Sequence, residues 1–308
     1  GLTILVILLG GAASCRVNEI WQSYTLFFFD TVCDVEVLCQ AGQLRATQEE
    51  ISRIFRGVEE KFSPDRQDLS SPIVLELFLE SRQVNLNTGG YFDITVGPLV
   101  ELWGFTSRTY RVPPPEDIKA VLPLIGMEKI GLEASGLVLQ NGMKLDWGGI
   151  VKGWAVDKAA KALREMGIRR GFINAGGDLY CWGSNPDNQD WRVGIQHPRQ
   201  KAYLGVLSVK DTGAATSGDY QRYFEKDGIR YCHIFDPTTG YPARKRQSVT
   251  VIGPVTMICD ALSTALFVSP EPEAILKRYP EYGAILVNNR GEVAIMGKSS
   301  GLKLYQAE

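Results

Sequence analysis

Hydrophobic and polar positions follow two different periods along the chain, and these periods predict a mixture of strands and helices. Aromatic and β-branched residues fill LFFFDTVCDVEVLC (26–39), which predicts a strand. In TQEEISRIFRGVEEKF, by contrast, apolar residues recur every three or four positions between Ile51 and Val58, and Thr47 and Glu50 have the spacing of a capping box. The second segment therefore predicts an amphipathic helix.

Helical periodicity recurs in three later segments. One helix is predicted over 71–85, opened by Ser71-Pro72, a second from Val156 to a stop at Gly167, and a third over VTMICDALSTALFV (255–268). The other apolar runs are short, are separated by turn residues and predict strands: RRGFINAGGDLYCWG (broken by its glycine pair), WRVGIQHP, LGVLSVK, IRYCHIFDP, QSVTVIGP and the hairpin GAILVNNRGEVAIM. Strands and helices do not alternate strictly, so the predicted fold class is α+β.

Composition narrows the choice of partners. The 308 residues suffice for one large domain or two modest ones, and 44% hydrophobic residues supply a sizeable core. The net charge of −2 lacks the basic excess typical of nucleic-acid-binding proteins, so we expect no nucleic-acid partner.

The first residues predict export. LTILVILLGGAASC is an apolar run, too short for a membrane-spanning helix of about 20 residues, followed by small residues and Cys15. This pattern is typical of a bacterial lipoprotein signal whose cysteine becomes lipidated, and an ordinary cleaved signal peptide is the alternative. The usual basic opening is absent, so we expect the chain to be truncated at its start. We predict a signal over 1–15, one domain over 16–308, and a lipid-anchored protein at a bacterial membrane, on its periplasmic or outer face.

The five other cysteines are scattered, and none forms a C-x-x-C pair. This spacing argues against a zinc site or a redox motif. The cysteines are predicted to be small buried apolar residues. A disulfide between two of them stays open for an exported protein.

Asp260 and Thr264 stand four residues apart and therefore share one face of the last predicted helix. A carboxylate on an apolar helix is costly to bury unless it meets a cation or strong donors. Carboxylate and hydroxyl oxygens suit Mg²⁺ better than zinc. The alternative is an aspartate on the solvent face of the helix.

Two more segments hold candidate chemistry. In KLDWGGIVKGWAVDKA, Lys152 follows a glycine pair and has the charge to neutralise a phosphate. The alternative is a solvated lysine at a tight strand-to-helix turn. His233 stands in HIFDPTTGYP, at the predicted mouth of a loop, where it is either a functional residue or a histidine bonded to its own turn.

The order of the motifs resembles that of the ApbE family over about residues 24 to 300. The matching segments are GGYFDITVGPLVELWGF, LDWGGIVKGWAVDKA, INAGGDLYCWG, WRVGIQHPR, ATSGDYQRYF, HIFDPTTGYP, SVTVIGP and CDALSTALFV. The resemblance implies a T-fold-related α+β architecture with mixed sheets, packed helices and a smaller flanking subdomain. It implies a Mg²⁺-requiring enzyme that transfers FMN from FAD to a threonine of an acceptor protein and releases AMP. Redox proteins of the membrane surface are the expected acceptors.

The resemblance also assigns site residues. It implies metal ligation by the Gly149 carbonyl and by Asp260 and Thr264. Lys152 is expected to act on the phosphates, and we infer that His233 is the catalytic base. Contacts to the FAD nucleotide are implied for Phe29, Tyr91, Phe92, Asp93, Asp146, Lys152 and Ile234.

The chain departs from the family pattern in two places. Phe29-Asp30-Thr31 replaces the usual Met-Gly-Thr, and EEKFSPDRQDLSSP is shorter than usual and lacks a tyrosine common there. Both segments lie against the flavin in the family. Hydrolysis of FAD to FMN and AMP is therefore the alternative to transfer, and an FAD-binding lipoprotein without turnover is the third hypothesis.

Overall fold

The computed structural model describes residues 18–63, 67–298 and 302–304. The predicted signal over 1–15, with Cys15, and the predicted domain start at residue 16 lie outside the described residues. Within the described part of the chain, no helix is both long and apolar enough to cross a membrane.

Seven α-helices and fifteen strands are assigned in these described ranges. The helices are α1 (Leu44–Phe62), α2 (Pro72–Thr88), α3 (Gly97–Leu102), α4 (Pro115–Val121), α5 (Val151–Glu165), α6 (Thr256–Val268) and α7 (Pro272–Leu276). The strands are β1 (Glu19–Phe28), β2 (Thr31–Gln40), β3 (Gly131–Glu133), β4 (Gly136–Val138), β5 (Gly171–Ala175), β6 (Asp178–Trp182), β7 (Trp191–Gln196), β8 (Tyr203–Val209), β9 (Thr212–Gly218), β10 (Tyr223–Lys226), β11 (Ile229–Cys232), β12 (Arg246–Gly253), β13 (Gly283–Asn288), β14 (Val293–Gly297) and β15 (Leu302–Leu304).

The strands form one large antiparallel sheet and three small sheets. The large sheet has the order β1-β2-β5-β6-β9-β12-β13-β14, and the small ones are β15-β8-β7, β10-β11 and β3-β4. Helices α5 and α6 cover one face of the large sheet, and α1 packs on α5. The small sheet of β7 and β8 covers the opposite face through a cluster that includes Trp191, Leu207 and Ile285. The α+β class is confirmed.

A smaller flanking body stands beside these layers. It has its own apolar cluster, in which Leu99 and Trp103 of the α3 region pack with Ile118 of α4 and with Phe235. The hairpin of β10 and β11 contributes Phe224 and Tyr231 to the edge of this cluster. The flanking body carries the segment that contains His233.

Two local predictions are wrong. The single strand predicted over 26–39 is a hairpin, because Phe29 and Asp30 adopt φ of 57° and 55° and turn the chain between β1 and β2. Thr47 does not begin a helix: it lies inside α1, where its hydroxyl donates to the Leu44 carbonyl at 2.7 Å. The capping box stands earlier, at the residues that open the short 3₁₀ turn ahead of α1. The five described cysteines are buried, as predicted, and all five are free, so the disulfide that the sequence left open does not form among them.

Helices α5 and α6 cross at very short range. A Cβ built on Gly153 would lie 2.6 Å from the Thr256 carbonyl oxygen, so only glycine allows this approach. Asp157 of α5 accepts the Thr256 and Met257 amides at 3.0 and 2.8 Å and thereby caps the amino end of α6. The start of α5 and the middle of α6 are therefore fixed against each other.

Gly153→Ala tests this crossing. Alanine usually stabilises a helix relative to glycine by about 0.5–1 kcal/mol. At residue 153 we expect the opposite sign, a loss of about 1–3 kcal/mol, because the methyl group overlaps the Thr256 carbonyl. Gly57→Ala in α1 is the matched control, since no atom lies within 4 Å of its Cβ position, and it should stabilise the protein. Urea unfolding of both variants measures the change that each substitution causes in the free energy of unfolding. Changes of the same sign would contradict the close crossing.

Candidate active site

Gly149, just before α5, lies against the side of α6. A Cβ on Gly149 would be 2.9 Å from Oγ1 of Thr264 and 3.5 Å from the Phe92 ring. The absent side chain leaves a small space beside the Thr264 hydroxyl. The structure therefore brings together Gly149, Thr264 and Phe92, which are far apart in the sequence.

One turn further along α5, a lysine meets two buried carboxylates. Nζ of Lys152 lies 2.6 Å from Oδ2 of Asp178 and 3.9 Å from Oδ2 of Asp260. The side chains of Asp178 and Asp260 are only 4% and 6% exposed, whereas that of Lys152 is 28% exposed. Lys152 is thus the part of the cluster that solvent or a ligand can reach.

Burial and charge act in opposite directions within this cluster. Burial by itself lowers the pKa of Lys152, but the charges of Asp178 and Asp260 outweigh burial and raise it, so the lysine is a cation at neutral pH. Burial, followed by the neighbouring charge of Asp178, raises the pKa of Asp260 above its usual range. A second cation beside Asp260 would favour its ionised form.

Hydroxyl groups extend the polar surface of α6. Oγ of Ser217, on β9, lies 2.8 Å from Oγ of Ser263 and 3.2 Å from Oγ1 of Thr264. This chain of hydroxyls reaches the space in front of Gly149. The wall between β9 and α6 is therefore lined with oxygen atoms.

The donor set fits a hard cation such as Mg²⁺. Besides Lys152 and the neighbouring Asp178 carboxyl group, the Asp260 carboxylate accepts the Gly153 amide at a long 3.3 Å, so a cation would find it weakly held by donors. The described residues contain no cluster of three His, Cys, Asp or Glu side chains able to hold a metal ion. Mg²⁺ commonly takes one or two carboxylates and completes its shell with water and substrate phosphates.

The loop before α3 borders the same space. Asp93 is almost buried and accepts both the amide and the hydroxyl of Thr95, at 2.8 and 2.6 Å. Burial raises its pKa in spite of these bonds. The Asp146 amide donates to the Ile94 carbonyl at 2.7 Å, and the Asp146 carboxylate accepts the Gly148 amide at 2.7 Å. Asp93 and Asp146 thus shape two adjoining loops at the edge of the site.

His233 follows β11 in the flanking body, where its ring lies near that of Phe105. Its Nδ1 lies 3.2 Å from the Arg222 carbonyl, so Nδ1 carries the proton and Nε2 is the free acceptor. Burial, together with the positive charges of Arg222 and Lys152, lowers the pKa of His233 to about 4. Of these two charges, that of Arg222 has the larger effect. Ile234, by contrast, is a buried core residue whose carbonyl accepts the Ala243 amide.

Two cavities lie beside these residues. One, of about 260 Å³, is lined by Phe29, Asp30, Val58, Glu59, Phe62, Ser63 and Val151. The other, of about 390 Å³, is lined by Tyr91, by the loop from Asp236 to Lys245, and by Val268 and Pro270. Val151 adjoins Lys152 in the chain and Tyr91 adjoins Phe92, so each cavity is lined by the neighbour of a site residue.

Three residues of the site were missed by sequence reasoning: Asp178, Ser217 and Ser263. Asp178 follows the glycine pair in INAGGDLYCWG and is the first residue of β6. An acidic residue at the start of an otherwise apolar strand is a signal that could have indicated its role. The two serines carry no comparable signal, because serine is common on strands and helices of any role.

The site can now be compared with known proteins. Residues 29–286 match the model of the ApbE family. An FAD:protein FMN transferase of Vibrio cholerae is 35% identical over 264 residues, covering 78% of this chain and 79% of the relative. The solved ApbE protein of Thermotoga maritima has a TM-score of 0.85 at 32% identity, over 90% of this chain and 97% of that one. The flavinyl transferase ApbE of Pseudomonas stutzeri has a TM-score of 0.80 at 29% identity, over 91% and 96%.

These matches define the class as a flavin-transferase-like α+β fold. The chain belongs to the ApbE family.

The lowered pKa of His233 predicts a pH dependence of stability. An unfolded histidine titrates near 6.5, so between about pH 6.5 and 4 the unfolded chain binds a proton that the folded chain does not. The free energy of unfolding should therefore fall as the pH falls through this window, by up to about 3 kcal/mol from this residue. Urea unfolding of the wild type and of His233→Gln at about pH 7 and pH 4.5 measures this change in the free energy of unfolding. Identical pH dependence in the two proteins would refute the shift.

Proposed function

We propose that this protein transfers FMN from FAD to a threonine of an acceptor protein and releases AMP. One observation carries the proposal: the cluster of Lys152, Asp178 and Asp260 lies beside the oxygen-lined space at Gly149 and Thr264. A cation and a lysine at this point suit a pyrophosphate. The activity named for the Vibrio cholerae relative supports the same assignment.

The shape of FAD matches the surroundings of the cluster. FAD consists of two nucleotides joined by a pyrophosphate, and each of the two cavities is lined by a chain neighbour of a site residue, Val151 beside Lys152 and Tyr91 beside Phe92. We place the flavin end in the smaller cavity, against Phe29, and the adenosine end beside Tyr91, Phe92 and Asp93. Asp146 adjoins the phosphates in this arrangement, and Ile234 closes the floor with its buried side chain.

Lys152 and His233 supply the chemistry of the transfer step. The acceptor hydroxyl forms a bond to the FMN-side phosphorus, the bond from that phosphorus to the bridging oxygen breaks, and AMP leaves with that oxygen. Nε2 of His233 receives the hydroxyl proton, since its Nδ1 is committed to Arg222. The Lys152 ammonium neutralises charge that grows on the phosphate oxygens.

We propose Mg²⁺ as the metal, held by the Gly149 carbonyl, the Asp260 carboxylate and the Thr264 hydroxyl. When bound there, Mg²⁺ would supply Lewis-acid polarisation of the phosphoryl oxygens and help to orient the pyrophosphate. The residues fit this ion because they offer hard oxygen donors and because a glycine leaves the space in front of Thr264 open.

We also propose where the protein acts. The pattern of residues 1–15 supports export and a lipid anchor at Cys15, and redox proteins of the membrane surface are the expected acceptors. The membrane would then hold enzyme and acceptor close together.

The decisive experiment incubates the protein with FAD and Mg²⁺, with and without a candidate acceptor. Transfer predicts AMP release that requires the acceptor, and flavin fluorescence that stays with the acceptor on a denaturing gel. AMP and free FMN without an acceptor would instead make the protein an FAD pyrophosphatase. FAD binding without AMP would make it a flavin-binding protein.

Lys152→Ala tests the phosphate role. Turnover at saturating FAD should fall because the variant loses roughly 2–4 kcal/mol of transition-state stabilisation, the usual effect of losing one preorganised donor. Lys158→Ala is the matched control, because Lys158 lies on the same helix but pairs with Glu76 at the surface. Lys152→Met combined with Asp178→Asn repeats the test without leaving Asp178 unpaired. Undiminished turnover in both Lys152 variants would show that the lysine only neutralises the buried carboxylates and has no role at the phosphates.

Asp260→Ala tests the metal site through binding as well as activity. Mg²⁺ should raise the melting temperature of the wild type, because a ligand that binds only the folded state stabilises it. The variant should lose both this shift and AMP release, since the one carboxylate ligand is gone. A variant with the normal Mg²⁺-induced shift would exclude Asp260 as a ligand.

A further inference from the structure

The turn between β1 and β2 has a backbone conformation that its own residues disfavour. Phe29 and Asp30 both lie in the left-handed region, with φ of 57° and 55°. Two-residue hairpin turns of this kind normally use Asn-Gly or a similar pair, because a bulky side chain at positive φ crowds the backbone. A contact from outside the hairpin must therefore favour the observed turn.

Glu59 of α1 makes such a contact. The Phe29 amide points away from the ladder, where Phe28 pairs with Thr31, and it donates to Oε1 of Glu59 at 2.6 Å. A carboxylate acceptor makes this a charge-assisted bond. The Phe29 ring also packs on Phe55 of the same helix, with ring centroids 5.2 Å apart. Helix α1 thus holds both the backbone and the ring of Phe29.

The turn is also a wall of the smaller cavity. Phe29 and Asp30 line it together with Glu59 and its helix neighbours Val58 and Phe62, and with Val151. Val151 is the neighbour of Lys152 in α5. The turn that holds Phe29 therefore forms part of the wall of a cavity that also reaches the neighbour of Lys152.

We propose that Glu59 is a positioning residue for the flavin end of FAD. By accepting the Phe29 amide, Glu59 stabilises the left-handed backbone conformation of the turn. This conformation in turn holds Phe29 in the wall of the cavity. The inference rests on the proposed function, because FAD is the ligand whose flavin ring would fill this cavity. Glu59 acts on the backbone of Phe29, so its loss lowers the fraction of molecules with a formed wall, and affinity falls by that fraction.

FMN is the probe, since it carries the flavin ring and needs no turnover to bind. Glu59→Ala should raise the Kd for FMN roughly tenfold, the effect of one lost charge-assisted hydrogen bond. The KM for FAD should rise by the same factor with kcat unchanged. Glu59→Gln keeps an oxygen acceptor and should stay within about threefold of the wild type. Glu60→Ala is the matched control, because Glu60 has the same charge on the same helix but does not line the cavity.

A second substitution separates positioning from direct contact with the ligand. Glycine favours positive φ at no steric cost, so Asp30→Gly should form the turn without help from Glu59. In the Asp30→Gly background, Glu59→Ala should therefore change the Kd for FMN by less than about twofold. Asp30→Gly also removes the ion pair with Arg108, at 3.6 Å, so Arg108→Ala is the reference for that loss.

Several outcomes would overturn the inference. A tenfold loss that persists in the Asp30→Gly background would mean that Glu59 touches the ligand itself. An unchanged Kd in Glu59→Ala would mean that the turn needs no help. If Glu59→Ala does not fold, the test falls on Asp30→Gly alone. Weaker FMN binding by Asp30→Gly than by Arg108→Ala would then contradict the inference. A wild type that binds no FMN refutes the flavin cavity, whereas one that binds FMN but transfers none contradicts only the proposed function.

Discussion

The close crossing of α5 and α6 is the constraint on which the site depends. The Thr256 carbonyl occupies the place that a side chain on Gly153 would need, and Asp157 ties the amino end of α6 to α5. At a wider spacing, Lys152 on α5 would not lie within 3.9 Å of Asp260 on α6. The site is therefore assembled by helix packing, and the loops around it add walls to a centre that is already rigid.

The buried charges at this crossing are costly to the fold and useful to the function. Two carboxylates with little exposure share one lysine, so their negative charge is only partly compensated by protein groups. Such an arrangement is poor evidence for stability, because desolvation offsets much of the attraction between the charges. The same arrangement is well suited to binding a cation together with a phosphate. The cation would neutralise the remaining negative charge of the carboxylates, and Lys152 would neutralise that of the phosphate. The hydroxyls of Ser217, Ser263 and Thr264 supply further oxygen atoms without adding charge.

The β1–β2 turn shows where local sequence reasoning stops. Phe-Asp is not a turn signal, and the run of aromatic and β-branched residues on both sides of it has the composition of one long strand. In the folded protein Glu59, thirty positions away in sequence, accepts the Phe29 amide of this turn, a contact that no local pattern records. His233 is a similar case: its position at the mouth of a loop is visible in the sequence, but its lowered pKa depends on burial and on Arg222 and Lys152.

The sequence by itself predicted the four long helices, most of the strands and the α+β class, but not the short helices α4 and α7. Residues four apart on a helix share one face, which places Asp260 beside Thr264. Gly149 and Lys152 are close because they are only three residues apart at the start of α5. Local geometry therefore suffices for both pairs. Only the tertiary structure decided that these two pairs meet, that Asp178 joins them from the sheet, and that Ser217 extends the oxygen-lined wall. The reason is that antiparallel pairing and helix crossing join segments tens of residues apart, and no local period records which distant segments will be neighbours.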